Sequence, residues 1–460
     1  MHRPDVLIIG GGTAALCAAI SARRTGASVL LAEAAPRTQR GGNTRHSRNL
    51  RFMHETETPL SSGLYPEQDF RSDLERATRN GGDPALRQLL VRASADAADW
   101  LLDAGVHFQP SAGGILPASR RTAFLLGGGM SMLNALYATA ERLGVEIRYG
   151  CEVDALRIGT EGLEQVQMKE QGESEWIAPG ALVACCGGAQ ANRDWLRIHW
   201  GDAAEGFVNR GTPFATGTLL ESMFEQGARR VGDPTTAYLV AVDARSPADD
   251  GGIVTRIRCM PSGIVVDRSG RRFDDEGGDT ASTRYAVWGQ RLARRPGQIA
   301  YLILDARAQR EAPPSLYPPI QADDLPALAE RLEIPASALV ETLAGYNAAT
   351  RPGENTDDPD GWHTVDLNPP KTHHAKPLTE SPFSAYPMRP GITFTYEGVA
   401  VDAHARVLRP DGGTIPNLFA AGMIMAPNIV PRGYVSGLGL TIGVVFGRIA
   451  GEEAARHALG

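Results

Sequence analysis

Two groups of residues in this chain have the types and spacing to do chemistry. The first is Gly10-Gly11-Gly12-Thr13-Ala14-Ala15, with Glu33 about twenty residues further on. In G-x-G-x-x-[GA], Gly10 makes a tight turn, Gly12 lets backbone approach a phosphate, and Ala15 lets helix and strand pack closely. An acid at the end of the next strand accepts hydrogen bonds from a ribose 2′-hydroxyl. The second group is cationic: Arg45, His46, Arg48 and Arg51 lie within one short stretch, and Arg432 stands far along the chain. A guanidinium presents a planar fork that binds carboxylates bidentately, so this group suits an anionic substrate. Alternate side chains of an extended segment face opposite ways, so at least one of these four cations is expected to be structural.

The elements around the glycine turn support the dinucleotide reading. Val6-Leu-Ile-Ile9 reads as a buried parallel strand and Ser28-Val-Leu-Leu-Ala-Glu33 as the next one. The intervening helix would aim its N-terminal amides and positive dipole end at a pyrophosphate. A rival glycine run, Gly127-Gly128-Gly129, has Met132 at its third motif position and no acid ending the following strand, so it reads as a loop turn. Asp83-Pro84 should cap a helix whose apolar face runs through Leu89, Leu90, Ala93, Ala97, Trp100 and Leu101 to a stop at Gly105. Met130 to Leu143 reads as another helix. Strand-like runs follow from Val145, Glu152 and Val166, and Ala181-Leu-Val-Ala-Cys-Cys-Gly187-Gly188 has the pattern of a central strand ending against a ligand.

The 460 residues suffice for two or three domains. The fold expected is α/β, a Rossmann-like domain over 1–234 and 377–460 interrupted by a smaller α+β cap over 235–376, where proline, charge and short segments increase. Apolar residues make up 42% and charged residues 22%, and a net charge of −7 spread along the chain argues against a nucleic-acid partner. Lys169, Lys371 and Lys376 are the only lysines, so arginine carries nearly all the positive charge. Five cysteines without a C-x-x-C pair make a metal or iron–sulfur site unexpected and point to reduced thiols in the cytosol. No apolar run approaches the ~20 residues that span a bilayer, so any membrane link is expected to go through a partner.

Several segments resemble the fumarate reductase and succinate dehydrogenase flavoprotein superfamily. They are Gly41-Gly42-Asn43-Thr44, Val183-Ala-Cys-Cys-Gly187-Gly188, Gly263 to Glu276, Ile415 to Gly422, and Gly437-Leu-Gly-Leu-Thr with Phe446 to Gly451. Within it, Gly42 to Arg51, Arg284-Tyr285-Ala-Val-Trp288-Gly289 and Arg432-Gly-Tyr434-Val-Ser436 are most similar to the tricarballylate dehydrogenase branch. The resemblance implies FAD-dependent oxidation of tricarballylate to cis-aconitate, with electrons passed to a membrane-associated iron–sulfur and haem protein. It implies cofactor contacts from Gly10, Gly12, Thr13, Ala14, Ala15, Glu33, Gly42, Asn43, Thr44, Val153, Gly187, Gly422, Ser436, Gly437 and Leu438.

Asn43 stands where covalent members carry a histidine, so FAD is expected to be non-covalent. Thr393-Phe394-Thr395-Tyr396 replaces the histidines of fumarate reductases, which argues against succinate or fumarate as substrate. Hydride loss from one carbon and proton loss from its neighbour require the carboxylates to be held. Arg432 is the first choice for that clamp, with Arg45, His46, Arg48, Tyr396 and Tyr434 as substrate contacts. Arg307, Arg284 and Glu276 are open candidates for proton transfer. Alternatives are a fumarate reductase-like enzyme for another unsaturated di- or tricarboxylate, an enzyme of ring ketones, an NAD-linked dehydrogenase, or a flavin relay without catalysis.

Overall fold

The computed structural model describes residues 3–114, 116, 118–249, 251–278, 284–354 and 361–460. The polar stretch beginning at Arg351 therefore lies partly outside the described residues, as does the Arg284 side chain. The chain divides into two compact units, one of Met1–Trp195, Gly211–Tyr238 and Thr393–Gly460, the other of Leu196–Arg210 and Leu239–Ile392.

The first unit is organised by a six-stranded sheet. β1 (Val6–Ile9) lies between β2 (Val29–Glu33) and the strand Ala181–Ala184. Glu146–Tyr149 extends the sheet beyond β2, and Thr414–Ala420 extends it on the other side, all in parallel. The short strand Arg406–Leu408 closes that edge antiparallel. The central strands are apolar throughout and buried along their whole length, as a parallel sheet covered on both faces demands. α1 (Thr13–Thr25) packs against the long C-terminal helix Leu438–Leu459. Their close approach depends on glycines four residues apart. A Cβ at Gly447 would sit 2.5 Å from the Ala14 carbonyl oxygen, and one at Gly451 would sit 2.2 Å from that of Ala18. A separate antiparallel sheet, Cys151–Ile158, Leu163–Glu170 and Glu173–Ile177, completes this unit's strands of note.

The second unit has its own sheet, in which Phe383–Val399 pairs antiparallel with Ala300–Leu304, which in turn pairs with Ile264–Asp267. Val208–Asn209 adds a parallel pairing at Gly391 and Ile392. Its core gathers Val265, Leu302, Ile303 and Trp288 with the helices Leu325–Leu332 and Ala336–Ala349.

Two expectations differ from the structure. The boundaries at 235 and 376 fall at 239 and 392, and 196–210 belongs to the second unit. Strand pairing decides this, because Val208–Asn209 and the first part of Phe383–Val399 hydrogen-bond into that unit's sheet. The single helix expected from Pro84 to Gly105 is two, Pro84–Ala93 and Ala97–Asp103. The Ser94 hydroxyl donates to the Val91 carbonyl at 2.6 Å and accepts from the Met53 amide at 3.0 Å, a side-chain competition that ends the first helix.

Candidate active site

The glycine turn joins β1 to α1 as the sequence predicts. Gly10 has φ of 104°, and a Cβ there would meet the Cys185 carbonyl oxygen at 2.6 Å, so only glycine fits. Gly12 differs: its φ is −79° and the nearest atom to a built Cβ is the Thr44 hydroxyl at 3.4 Å. The chain's own packing does not require glycine at 12, so the space above it is left for a ligand. Among the described residues the amides of Gly11, Gly12, Ala14 and Ala15 have no acceptor, whereas Thr13 N–H donates to Thr44 Oγ1 at 3.0 Å and Leu16 N–H to the Gly12 carbonyl. Unpaired amides at a glycine-lined helix N-terminus fit a diphosphate.

Glu33 ends β2 beside this turn and is buried. Its two carboxylate oxygens accept from the amides of Ala35 at 2.9 Å and Gly41 at 3.3 Å. Burial pushes its pKa up and the two amide bonds oppose the rise. Gly11, between the two motif glycines, is needed by the protein itself: a Cβ there would lie 2.0 Å from Glu33 Oε2 and 2.1 Å from the Tyr137 hydroxyl. Tyr137 donates to the Gly11 carbonyl at 3.0 Å. Read in sequence as an apolar helix position, Tyr137 is a strut under the turn, and the extra glycine at 11, which the motif does not call for, was the available signal for it.

Gly42, Asn43, Thr44, Arg45 and His46 form one 3-10 turn, Gly42–His46. The Asn43 amide is held at both ends, donating to the Thr393 carbonyl at 2.6 Å and accepting from Thr212 N–H at 3.0 Å. Gly129 lets the helix Gly128–Arg142 lie against this turn, since a Cβ there would be 1.8 Å from the Thr44 carbonyl oxygen. Arg45 donates to the Gln39 carbonyl at 3.1 Å, while Arg48 is exposed. Arg51 is the structural member of the four cations. It is buried, ion-paired to Asp73 at 3.0 Å, and donates to the Ser436 carbonyl at 2.8 Å.

That bond brings in the segment around Ser436. Ser436 precedes Gly437, whose φ of 82° and close approach to the Arg51 amide, 2.6 Å from a built Cβ, require glycine. Gly437 caps the helix that starts at Leu438. Gly422 also has positive φ, and a Cβ there would press on Ala14 at 2.8 Å. Gly187 has φ of 80° at the end of the central strand, and Val153 lies buried on Cys151–Ile158 opposite Met168.

Arg432 is exposed and makes no side-chain hydrogen bond or ion pair among the described residues. The two tyrosines expected to join it as substrate contacts are less free than expected. Tyr396 is buried and its hydroxyl donates to the Gly433 carbonyl, so it anchors the loop carrying Arg432 and has no proton to offer a carboxylate. Burial drives its pKa well above the ordinary value. The Tyr434 hydroxyl accepts from Gly439 N–H at 3.1 Å. Tyr238, Phe394 and Tyr434 form an aromatic cluster, with Tyr238 and Tyr434 ring centroids 4.4 Å apart.

In the second unit, Glu276 is committed to structure. Both oxygens receive Arg272, at 3.1 and 2.6 Å, and one also accepts Val265 N–H at 2.8 Å. Arg307 donates to the Pro377 carbonyl at 3.2 Å and stands 3.5 Å from Glu311. Arg284 opens the helix Arg284–Ala293. The sequence reading passed over Lys371, whose buried ammonium donates to the carbonyls of Pro261 and Gly263 at 2.6 and 2.7 Å. Burial pushes its pKa down to about 8, against the pull of Glu276.

A glycine cradle with unpaired amides, a buried acid at the end of the next strand, and a second glycine-capped helix fit a flavin dinucleotide. The family model for the FAD binding domain matches residues 5–433, and the chain belongs to that family. It is 27% identical over 466 residues to "Fumarate reductase (cytochrome)" of Shewanella frigidimarina, covering 99% of this chain and 77% of the relative. It is 26% identical over 378 residues to "3-oxosteroid 1-dehydrogenase" of Mycobacterium tuberculosis, covering 73% of this chain and 64% of the relative. The open conformation of a flavocytochrome c3 fumarate reductase superposes with a TM-score of 0.77 at 24% identity, covering 99% of this chain and 79% of that one. The chain is thus an FAD-dependent oxidoreductase acting on CH–CH groups, with a mixed α/β flavoprotein fold. When bound, FAD supplies a hydride acceptor.

Proposed function

We propose that this chain oxidises tricarballylate to cis-aconitate and passes the electrons to an iron–sulfur or haem protein at the membrane. The observation that carries this reading is Arg432, an exposed guanidinium without a partner among the described residues, on a loop that the buried Tyr396 holds in place. Arg45 and His46 lie on the turn Gly42–His46 with Asn43, and the exposed Arg48 follows it closely, so further guanidinium charge is at hand. Three carboxylates need more than one cation, and arginine forks hold them with orientation as well as charge. Arg432 pins the substrate so that its reacting C–H is presented in one geometry. Proton transfer falls to Arg307 or Arg284, since Glu276 is saturated by Arg272. The FAD is non-covalent, the protein works in the cytosol, and it meets the membrane only through its partner.

The test is anaerobic bleaching of bound flavin absorbance by tricarballylate, with succinate in parallel. Bleaching by tricarballylate alone supports the reading, and bleaching by succinate alone shifts it to a fumarate reductase-like enzyme. Arg432→Gln should abolish bleaching while retaining flavin, whereas a non-catalytic relay would never bleach. The aromatic cluster of Tyr238, Phe394 and Tyr434 favours one second reading, a substrate bearing a ring. A 3-ketosteroid arm of the same assay decides it.

A further inference from the structure

We propose that Arg40 is a cation dedicated to the adenosine phosphate end of the FAD, held ready by two tyrosines. Its guanidinium stacks on the Tyr137 ring, 4.0 Å from the centroid, and donates to the Tyr149 hydroxyl at 2.8 Å and to Asn134 Oδ1 at 3.3 Å. Every one of these partners is neutral. Among the described residues no carboxylate lies within ion-pair reach of Arg40. A guanidinium fixed in one orientation but left uncompensated is poised for an anion.

Its position says which anion. Tyr149 is the register partner of Glu33 across the parallel pairing of β2 with Glu146–Tyr149, so the side of the sheet that holds Arg40 is the side that holds the ribose-facing acid. Tyr137, beneath Arg40, bonds the Gly11 carbonyl of the phosphate turn. Arg40 itself precedes Gly41, whose amide donates to Glu33. Three contacts therefore tie one guanidinium to the ribose acid and to the turn with the four unpaired amides. Those amides carry only partial charges, and Arg40 adds a full positive charge where a dinucleotide carries its two negative ones. Its stacking on Tyr137 fixes the fork in advance, so little side-chain entropy is lost when the phosphate arrives.

The test uses the full chain, measuring the FAD dissociation constant from the fluorescence released on diluting the holoprotein, together with the thermal midpoint of the flavin-free protein. Arg40→Gln should weaken FAD binding about 10- to 100-fold, the range of one charge-assisted hydrogen bond. The flavin-free midpoint should stay that of wild type. Arg40→Lys, which keeps the charge without the fork, should recover part of the affinity. FAD affinity unchanged in Arg40→Gln overturns the proposal. So does an affinity that falls together with the flavin-free midpoint, which is what a merely structural arginine would give.

Discussion

The contact between α1 and the C-terminal helix makes the sharpest prediction, because the same substitution should have opposite signs at two helical glycines. In Gly447→Ala the new methyl would lie 2.5 Å from the Ala14 carbonyl oxygen and 3.0 Å from Cys17 Cβ. Ordinary contact lies at ~3.5 Å, so the two helices must separate by roughly 1 Å, against backbone that cannot rotate away. Overpacking of this kind costs about 1–3 kcal/mol, and the gain in helix propensity returns at most ~1. The net expectation is a loss of about 1–2 kcal/mol, a fall in Tm of roughly 2–8 °C at a few degrees per kcal/mol for a unit of this size. Gly345 lies on the exposed face of Ala336–Ala349 with nothing within 4 Å of a built Cβ. Gly345→Ala should stabilise by up to ~1 kcal/mol. Ala14 also carries one of the unpaired amides at the phosphate turn, so Gly447→Ala should weaken FAD as well, while Gly345→Ala leaves it untouched. Calorimetric scans of both variants, with and without FAD, read the outcome. A Gly447→Ala protein as stable as wild type and with unchanged FAD affinity would refute the reasoning.

Three further outcomes follow from buried charge. Arg272→Ala strands the Glu276 carboxylate without its counter-ion and should cost about 3–5 kcal/mol, read by denaturant unfolding of the second unit. Lys371 has a folded pKa of about 8 against an ordinary 10.5, so its neutral form is favoured by the fold. Its contribution is fully present above pH 10.5 and is lost as pH falls through 8, and Lys371→Met should flatten the stability profile in that window. Glu33 is displaced the other way. Its raised pKa favours the protonated form in the flavin-free chain, a contribution present below the ordinary carboxyl range and lost as pH rises through the raised value. In the ribose contact expected of Glu33 the hydroxyl would donate to the carboxylate, so FAD affinity should tighten over that same rise, and Glu33→Gln should remove the trend in a titration followed by flavin fluorescence.

The local parts of this protein were legible before the structure. β1, the glycine turn, α1 and β2 form a contiguous unit whose periodicity, glycine spacing and terminal acid are all short-range; the two strands match the reading to within a residue, and the helix lies between them as expected. The parts that depend on register were not. Tyr149 meets Glu33 only because two strands pair, Arg40 reaches Tyr137 only because a helix crosses below, and neither relation is written in neighbouring residues. Arg51 looked like one more cation in a cluster, and its ion pair with Asp73 distinguishes it. Tyr396 was read as a donor for substrate, but whether a tyrosine's proton is already engaged is a tertiary fact. The break at Ser94 was missed because an apolar face continues on both sides of it.

Thr44 belongs to the turn Gly42–His46, yet its hydroxyl accepts from Thr13 N–H and bonds Thr13 Oγ1 at 2.9 Å, supplying from elsewhere the cap that Gly12 lacks. The loop and the helix are thereby latched to each other by the polypeptide alone. One hydroxyl therefore serves two elements at once, and a change at Thr44 should disturb the turn and the helix start together.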